Sequence, residues 1–566
     1  MVKLFDSAAI EEFNKTSKNF KQTGILANGN HIELTLDNDE TYLIEPSLMP
    51  LVEIPESKYN KILYGKNSLE GIVGSESDGE NLTLFIQKGK ETITKIVPNR
   101  LWITSPKNHD NVFSRLEGDR YFKYIKYYKD VDKWDEVRKN FRYQMDLYCS
   151  YCPIEANFIS RGFTYFKGLQ IKDVPVLSFD IETDGLEKTE KSDIYLISNT
   201  FRNGEEIERK LFDFHDYPTR RDMLKAWCDW VREKNPAIML GHNIYGYDFP
   251  YLKHVAALND VTLDLGRDGS SLTINDWPSK FRKDGVEKIE YYKCKVWGRE
   301  IVDTYFLSFK YDSARNFSSN GLKQIIKQLG LEKEGRSYVE AGKIKNYLND
   351  PVMWPKIALY AEQDGDDALT LFDIMAPPFF YSTQMIPKKF EDIMNGATGS
   401  QINTIMLRCY LQEGRSIPKA SEATKFEGAI SKGLPGIYRN CIRWDVSSLY
   451  PSIMKQFQIH STKKDPDKYM LYTLFAFLDK RLEHKKLAKQ TGEKYHDDMS
   501  NSLKILANSY YGFLAAPGLN FNYPEGAALI TRKGREILTS AVKWASGKSI
   551  EDIFGSDENT EETNED

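Results

Sequence analysis

The sequence predicts a multidomain chain of mixed α/β and α+β class with a β-rich N-terminal domain, and three observations support this. Its 566 residues far exceed one typical domain of roughly 150 residues. Residues 1 to about 165 alternate short apolar segments with turn residues, as in NLTLFIQKGKETITKIVP, which is typical of β-strands. Near residue 174 apolar strands are followed by the amphipathic segment RRDMLKAWCDWVREK, which indicates an α/β domain.

The composition is that of an ordinary globular chain. Hydrophobic residues make up 41% and charged residues 28%, which excludes disordered, collagen-like and membrane classes for the bulk of the chain. No segment reaches the roughly 18 apolar residues of a membrane span. Six cysteines are too few for a disulfide framework, so we expect reduced thiols and a cytoplasmic location, in the host cytoplasm if the source is viral. Cys149 and Cys152 form a CxxC pair, whose spacing we attribute to chance because no second pair accompanies it.

The formal charge of -5 argues by itself against a nucleic-acid partner, but its distribution changes that interpretation. Residues 551–566 contain eight acids and no lysine or arginine, so residues 1–550 carry a net charge of +3. We therefore expect a mildly basic body followed by an acidic, disordered tail.

The pattern of the second half of the chain predicts several helices and one strand. The stretch SQINTIMLRCYLQEG predicts a helix, CIRWDVSSLYPSIM a strand, and YTLFAFLDKRLEHKKLAK and DDMSNSLKILANSYYGFLA two further helices.

Acidic residues form the first candidate site. Asp180 and Glu182 lie two apart at the end of an apolar strand, so both side chains face the same side. Because acids often cap strand ends, this pair alone does not define a site. Asp248 follows Asn243 and Tyr247 in GHNIYGYD, and Tyr360 precedes a further aspartate by one helical turn in YAEQD.

Four converging carboxylates suit two divalent ions about 4 Å apart, which activate a water and stabilise the leaving oxygen in phosphodiester cleavage. The motif order resembles the three proofreading-exonuclease motifs of family B DNA polymerases. The resemblance implies an RNase H-like 3′-5′ exonuclease domain in which Tyr360 orients the attacking water and the metal ligands are Asp180, Glu182, Asp248 and Asp364. Asp366 and Asp367 compete with Asp364 for its role, and we interpret Asp303 as structural.

A second candidate site lies in WDVSSLYPSIM, where Asp445 ends the predicted strand before a turn. The string DVSSLYPS resembles motif A of the same family. The resemblance implies that Asp445 is a catalytic metal ligand, with Val446 beside it, and that Ser448 and Leu449 line a triphosphate. Tyr450 is then the steric gate that excludes a ribose 2′-OH, so DNA synthesis is expected.

Positively charged side chains on the predicted helices belong to the same candidate site. Arg481 and Lys485 lie four residues apart, with Lys486 as an adjacent competitor, and such a pair suits a polyphosphate. The segment KILANSYYG resembles motif B of the family. The resemblance implies that the triphosphate is held by Arg481, Lys485, Lys504 and Asn508, and that Tyr511 and Gly512 pack beneath the nascent base pair. Residues 426–429, FEGA, resemble the family's template-strand element between exonuclease and palm more weakly.

Two-metal phosphoryl transfer needs a second carboxylate beside Asp445, yet no Asp-Thr-Asp motif follows Gly512. We therefore expect the larger polypeptide of a split, phage-like polymerase, whose second polypeptide supplies motif C and the thumb. The alternatives are a stand-alone 3′-5′ exonuclease with a vestigial palm, a non-catalytic DNA-binding assembly subunit, and a truncated one-chain enzyme.

The resemblance also gives the expected partners, cofactor and domains. The partners are primer-template DNA and deoxynucleoside triphosphates, with a sliding clamp left open and no membrane. The cofactor is Mg²⁺, two ions per active site, with Mn²⁺ as the alternative. The predicted domains are an N-terminal domain (1–165), an exonuclease domain (166–376), palm (377–469), fingers (470–514), further palm (515–550) and the tail (551–566).

Overall fold

The computed structural model describes residues 56–555 except 144, 284–286, 313–314, 340, 440–445 and 447, together with three short strands nearer the N-terminus. The strands are β1 Lys21–Ile25, β2 Ile32–Thr35, β3 Thr41–Ile44, β4 Ile72–Asp78, β5 Asn81–Lys88, β6 Glu91–Pro98, β7 Leu101–Ser105, β8 Ser114–Arg115, β9 Tyr124–Tyr128, β10 Tyr148–Cys149, β11 Val176–Thr183, β12 Ile194–Asn203, β13 Glu206–Asp213, β14 Ile238–Gly241, β15 Thr273–Ile274, β16 Ser279–Arg282, β17 Lys288–Tyr291, β18 Cys294–Lys295 and β19 Glu300–Asp303.

The α-helices are α1 Glu56–Tyr64, α2 Val131–Phe141, α3 Pro153–Arg161, α4 Arg220–Lys234, α5 Asp248–Leu258, α6 Thr304–Tyr311, α7 Leu322–Gln328, α8 Trp354–Met375, α9 Pro377–Thr383, α10 Phe390–Asn395, α11 Thr398–Gln412, α12 Leu449–Gln456, α13 Tyr469–Thr491, α14 Lys494–Ala515, α15 Pro524–Ser546 and α16 Ile550–Phe554. None of these described helices has the length and hydropathy needed to cross a membrane.

Most predicted elements are confirmed, with two corrections. The helices predicted from RRDMLKAWCDWVREK, SQINTIMLRCYLQEG and the two later segments are α4, α11, α13 and α14. The predicted strand over CIRWDVSSLYPSIM is wrong in its second half, because Leu449–Gln456 is helical and Ser448 caps that helix. Residues 441–445 and 447 of the predicted strand, Asp445 among them, lie outside the described residues. The acidic tail starts with the ordered helix α16, which the Ser549 capping box stabilises, and residues 556–566 are not among those described.

The chain divides into two compact units. The larger contains Asn60–Pro418 and Asp479–Leu506, and the smaller contains Met1–Tyr59, Lys419–Leu478 and Ala507–Asp566.

A five-stranded mixed sheet organises the larger unit, in the order β13-β12-β11-β14-β19. Strand β14 pairs in parallel with both β11 and β19, while β12 pairs antiparallel with both β11 and β13. Because parallel strands end at the same edge of a sheet, the residues that follow β11, β14 and β19 meet there. This edge carries the candidate site.

The two faces of β11 differ because its side chains alternate. Leu177, Phe179 and Ile181 are buried in the hydrophobic core beside α4 and α5. On the opposite face, the Ser178 hydroxyl donates to the Gly365 carbonyl on α8 at 2.7 Å. A Cβ on Gly365 would lie 3.3 Å from the Ser198 hydroxyl, so glycine allows α8 to approach the sheet closely.

A buried ion cluster joins β4, β19 and α10 within the larger unit. The Lys389 ammonium lies 3.5 Å from Glu300, 3.9 Å from Glu76 and 3.7 Å from Glu391. All four residues are buried. Burial raises the pKa of Glu300 to about 7 despite the lysine. The cluster therefore connects the strands before residue 165 to the central sheet through charge as well as packing.

Candidate active site

Three carboxylates converge at the edge of the central sheet. Oxygen atoms of Asp180, Glu182 and Asp364 lie within 4.8 Å of one another, the only such ligand group among the described residues. Asp180 and Glu182 project from the same face of β11, and α8 carries Asp364 across that face. The structure thus places three of the four predicted exonuclease ligands together.

Asp248 lies next to this cluster but outside its 4.8 Å limit. It is the first residue of α5, and it is buried. Its charge acts on both Asp180 and Glu182, raising the pKa of each. One of its carboxylate oxygens, Oδ1, is buried without a hydrogen-bond partner.

Asp303, at the end of β19, holds the loop that leads to Asp248. Its carboxylate accepts backbone N–H groups from Asn243 at 2.8 Å, Tyr245 at 3.2 Å and Tyr305 at 2.9 Å. Burial raises the pKa of Asp303 to about 6, while these donors lower it. These contacts agree with the structural interpretation of Asp303.

Tyr360 lies one turn before Asp364 on α8, and burial, followed by the charges of Asp364 and Glu182, raises the pKa of its hydroxyl. The Lys323 ammonium, on α7, donates to the Tyr360 hydroxyl and lies 3.5 Å from Asp364 Oδ2. The Arg336 guanidinium bridges Asp364 and Asp367, and only 4% of its side chain is exposed. Two cations therefore reach Asp364, and one of them reaches the tyrosine as well.

Neighbouring Asp366 points elsewhere. Its carboxylate accepts from Arg209 at 2.9 Å, Lys333 at 3.0 Å and Thr200 at 2.8 Å. These hydrogen bonds hold the pKa of Asp366 below its usual value. Of the three acids in QDGDD, the tyrosine spacing thus selects the one that joins the cluster.

Electrostatics show that the cluster is short of positive charge. Burial, followed by the charges of Asp248, Glu182 and Asp364, raises the pKa of Asp180 well above its ordinary value. Burial and Asp364 raise the pKa of Glu182 to about 8, and burial raises the pKa of Asp248 to about 8. Carboxylates in this state favour a proton or a cation.

The donor set fits hard divalent cations. Every candidate ligand is a carboxylate oxygen, which is the ligand type that Mg²⁺ and Mn²⁺ take in proteins. The unpartnered Oδ1 of buried Asp248 leaves one acceptor unsatisfied beside the cluster, and a cation would satisfy it.

The candidate nucleotide residues near Ser448 lie in the smaller unit. Ser448 has a left-handed backbone, φ 53°, and precedes α12, which begins with Leu449 and Tyr450. The Tyr450 and Tyr511 rings lie 4.7 Å apart between centroids. A Cβ on Gly534 of α15 would lie 3.2 Å from the Tyr450 ring, so this glycine permits the close packing of α12 on α15.

The other predicted nucleotide ligands lie on α13 and α14. Arg481 is half-buried, while Lys485 and Lys486 are both exposed, so exposure does not decide between the two lysines. Lys504 and Asn508 are exposed on α14, one turn apart. The apolar positions Leu503, Leu506 and Ala507 of the same helix are buried.

The FEGA segment, predicted to resemble a template-strand element, contacts helix α15. The Glu427 and Gly428 carbonyls accept from Arg535 on α15 at 2.9 and 2.6 Å. Val446, predicted to lie beside the catalytic Asp445, is half-buried.

Burial raises the pKa of the Cys149 thiol to about 11 and of the Cys152 thiol to about 12. Neither cysteine joins a ligand group in the described chain.

Sequence reasoning missed Lys323 and Arg336. Both lie in segments without a recognised motif, and their roles depend on tertiary contacts with α8. A sequence signal for Arg336 was present, because three acids within QDGDD need counter-charges when buried.

A mixed sheet with carboxylates at one edge, faced by a helix that supplies a tyrosine and an aspartate, defines a site suited to metal-dependent phosphodiester chemistry. Comparisons with known proteins agree with this class. The model of "DNA polymerase family B, exonuclease domain" matches residues 124–325, and that of "DNA polymerase family B" matches residues 463–565. Together they match more than half of the chain, which therefore belongs to DNA polymerase family B.

Relatives and a solved structure support the same conclusion. A DNA polymerase of Archaeoglobus fulgidus is 25% identical over 420 residues, which are 68% of this chain and 50% of the relative. One of Desulfurococcus sp. (strain Tok) is 24% identical over 451 residues, 73% of this chain and 55% of the relative. This chain thus spans about half the length of these relatives. The structure of the family B DNA polymerase from Pyrobaculum calidifontis has the same fold, with a TM-score of 0.64 at 19% identity over 84% of this chain and 71% of that one. The predicted family and mixed fold are confirmed.

Proposed function

We propose that this chain is a subunit of a DNA-directed DNA polymerase with 3′-5′ proofreading exonuclease activity, and that synthesis requires a second polypeptide. The observation that carries the nuclease part is the cluster of Asp180, Glu182 and Asp364, whose oxygens lie within 4.8 Å. Its substrates are the 3′ ends of DNA, and its partners are primer-template DNA and deoxynucleoside triphosphates.

In the exonuclease reaction, Asp180, Glu182, Asp364 and adjacent Asp248 would hold two divalent ions, Mg²⁺ or Mn²⁺. Such ions would supply Lewis-acid activation of a water and charge stabilisation at the leaving 3′ oxygen. The residues of the chain position the reactants: Tyr360 orients the water, and Arg336 holds Asp364 against Asp367.

In the synthesis reaction, Asp445 and Val446 would bind metal, and Tyr450 would exclude the ribose 2′-OH. Ser448 and Leu449 line the triphosphate, which Arg481, Lys485, Lys504 and Asn508 hold. Packing of Tyr450 against Tyr511 supports the gate role, because the second ring limits how far the Tyr450 ring can move to make room for a ribose 2′-OH.

A chemical requirement of synthesis motivates the proposal of a second polypeptide. Two-metal phosphoryl transfer needs another carboxylate beside Asp445, and residues 513–566 contain no Asp-Thr-Asp motif. We propose that a partner chain supplies this carboxylate and the thumb. A phage-like source and a sliding clamp belong to the same hypothesis.

Nuclease activity is tested with a 5′-labelled single-stranded oligodeoxynucleotide and Mg²⁺. The purified chain should shorten it from the 3′ end, and Asp180→Ala with Glu182→Ala should abolish the shortening. A matched control is Glu187→Gln, an exposed acid a few residues beyond the strand, which should cleave normally. Full activity of the double variant would overturn the site assignment.

Synthesis is tested by primer extension with and without a polypeptide that carries an Asp-Thr-Asp hairpin, sought in neighbouring reading frames. The isolated chain should not extend a primer, and the mixture should. Extension by the isolated chain would refute the need for a partner. Cleavage without extension in any mixture would favour the stand-alone exonuclease with a vestigial palm, and absence of both activities would favour the assembly subunit.

A further inference from the structure

Two histidines face each other across the helices α13 and α14. The Nδ1 atoms of His484 on α13 and His496 on α14 lie 2.9 Å apart, and their ring centroids lie 5.1 Å apart. Gly492, with φ 70°, lies in the turn that brings the two helices together. Both histidines are half-buried, so ions from solvent can reach the pair.

Neighbouring aromatic rings hold both imidazoles in place. The Tyr495 ring centroid lies 5.7 Å from that of His484 and 5.0 Å from that of His496. Tyr381, on α9, packs edge-on against Tyr495 with the centroids 5.3 Å apart. Because these contacts already restrict the two imidazoles, a ligand that binds them loses little affinity to side-chain ordering.

The protonation pattern of the pair leaves its Nδ1 atoms suited to a metal ion. A neutral imidazole has one nitrogen that donates and one that accepts. The Glu493 carboxylate lies 3.6 Å from Nε2 of His496, which favours a proton on Nε2 and a lone pair on Nδ1. In that tautomer His484 donates its Nδ1 proton to His496. A metal ion can replace this shared proton once His484 carries its own proton on Nε2.

The pair is also in the charge state that binds metals. Burial, followed by the charge of His496, lowers the pKa of His484. His484 is therefore neutral at pH 7, and only neutral imidazole has a lone pair for a metal. Imidazole nitrogen suits transition metals, whereas Mg²⁺ takes oxygen ligands, so this pair and the carboxylate cluster select different ions.

We propose that His484 and His496 form a binding site for a divalent transition-metal ion, Cu²⁺ or Ni²⁺, that joins α13 to α14. With metal–nitrogen bonds of about 2.0 Å, nitrogens 2.9 Å apart subtend about 90° at the ion. This is the angle between adjacent ligands in the square-planar sites of Cu²⁺ and Ni²⁺. A tetrahedral ion needs nitrogens about 3.3 Å apart, so Zn²⁺ fits less well.

The surroundings supply the rest of such a site. Glu493 orients His496, as carboxylates beside metal-binding histidines do. Water completes the coordination, because the described residues place no third histidine, cysteine or acid together with this pair. His484 lies between Arg481 and Lys485 on α13, so the ion restrains the helix that carries two of the proposed triphosphate ligands. The site itself does not depend on the proposed function.

Cu²⁺ binding to the whole chain in excess Mg²⁺, followed by electron paramagnetic resonance, tests the site. The bound Cu²⁺ signal should show splitting from two imidazole nitrogens, and His484→Gln and His496→Gln should each abolish it. The matched control is His460→Gln, because this half-buried histidine faces the Gln458 carbonyl instead; its signal should be unchanged.

A milder variant separates lost binding from lost folding. The Glu493 side chain is 62% exposed, so Glu493→Gln should fold normally while it weakens Cu²⁺ binding roughly 10-fold. Thermal unfolding gives a second readout: Ni²⁺ should raise the Tm of the unsubstituted chain, because the ion binds only the folded state, and should not raise that of His484→Gln.

Three results would overturn the proposal. One is an equal Cu²⁺ signal from the unsubstituted chain and both histidine variants, and another is a chain that binds no Cu²⁺. The third is a signal that Asp180→Ala with Glu182→Ala abolishes and His484→Gln does not, which would place the ion at the carboxylate cluster. Because these readouts involve neither DNA nor nucleotides, failure of the nuclease or synthesis assays would leave the metal site standing.

Discussion

Arg336 and Asp364 form a buried ion pair at the border of the carboxylate cluster, and the same guanidinium binds Asp367 three residues later on α8. Only 4% of the arginine side chain and 8% of that of Asp364 are exposed. The pair fixes one oxygen of Asp364 and offsets part of the repulsion among acids that the fold brings together.

Replacing Arg336 with methionine should destabilise the chain. The change leaves Asp364 and Asp367 buried without their shared counter-charge, which costs about 3 kcal/mol of unfolding free energy. Urea unfolding of the larger unit, monitored by tryptophan fluorescence, measures it. Lys333→Met serves as the control: that lysine is 52% exposed in its pair with Asp366, so a loss of about 1 kcal/mol or less is expected. Equal losses would show that burial of the arginine pair is irrelevant.

Without metal, stability should fall as the pH rises. Glu182 and Asp248 each have a folded-state pKa of about 8, against ordinary values of 4.5 and 3.8. A raised carboxyl pKa means that the folded state binds the proton more tightly, so the stabilisation is complete below about pH 4 and is lost as the pH passes through about 8. Thermal unfolding in EDTA between pH 5 and 9 tests this.

Bound Mg²⁺ should flatten that pH profile, because the ions replace the protons. Glu182→Gln combined with Asp248→Asn should flatten it without metal. A profile in EDTA that rises with pH would contradict the assignment of these two carboxyls.

Neutralising Asp180 should separate stability from cleavage. Asp180→Asn replaces a carboxyl group whose charged form is disfavoured by burial and by three neighbouring acids. We expect the metal-free chain to gain on the order of 1 kcal/mol, while cleavage falls about 10²-fold or more. Thermal unfolding in EDTA and cleavage assays with Mg²⁺ measure the two effects. A less stable metal-free variant would argue that Asp180 is held by contacts other than metal.

Two glycines in helices of the smaller unit should respond oppositely to alanine. Gly512 has open space where a Cβ would stand, so Gly512→Ala should stabilise by about 1 kcal/mol. At Gly534 the Cβ would lie 3.2 Å from the Tyr450 ring, so displacing the ring should offset the gain and leave a loss of about 1 kcal/mol. Thermal unfolding compares the pair. A gain at Gly534 would mean that Tyr450 moves without cost.

Local spacing predicted much of the nuclease site. Alternation along β11 placed Asp180 and Glu182 on one face, and helical spacing placed Tyr360 beside Asp364; both relations depend only on neighbours in sequence. Lys323 and Arg336 could not be predicted in this way, because α7 and the loop after it reach α8 only through the tertiary fold. The helix that begins after Ser448 could not be predicted for a related reason: a serine that precedes a helix can also end a strand, and only its left-handed backbone tells the two apart.

The ion cluster around Lys389 makes the N-terminal strands and the nuclease sheet interdependent. Glu76 on β4 and Glu300 on β19 share this one buried ammonium, although more than 200 residues separate them. A chain shortened to begin at residue 166 would lose Glu76 and open the lysine to water, and a fragment ending at residue 165 would leave Glu76 without this counter-ion. Excising the nuclease as a minimal enzyme should therefore yield an insoluble or weakly folded product unless the strands that precede it are retained.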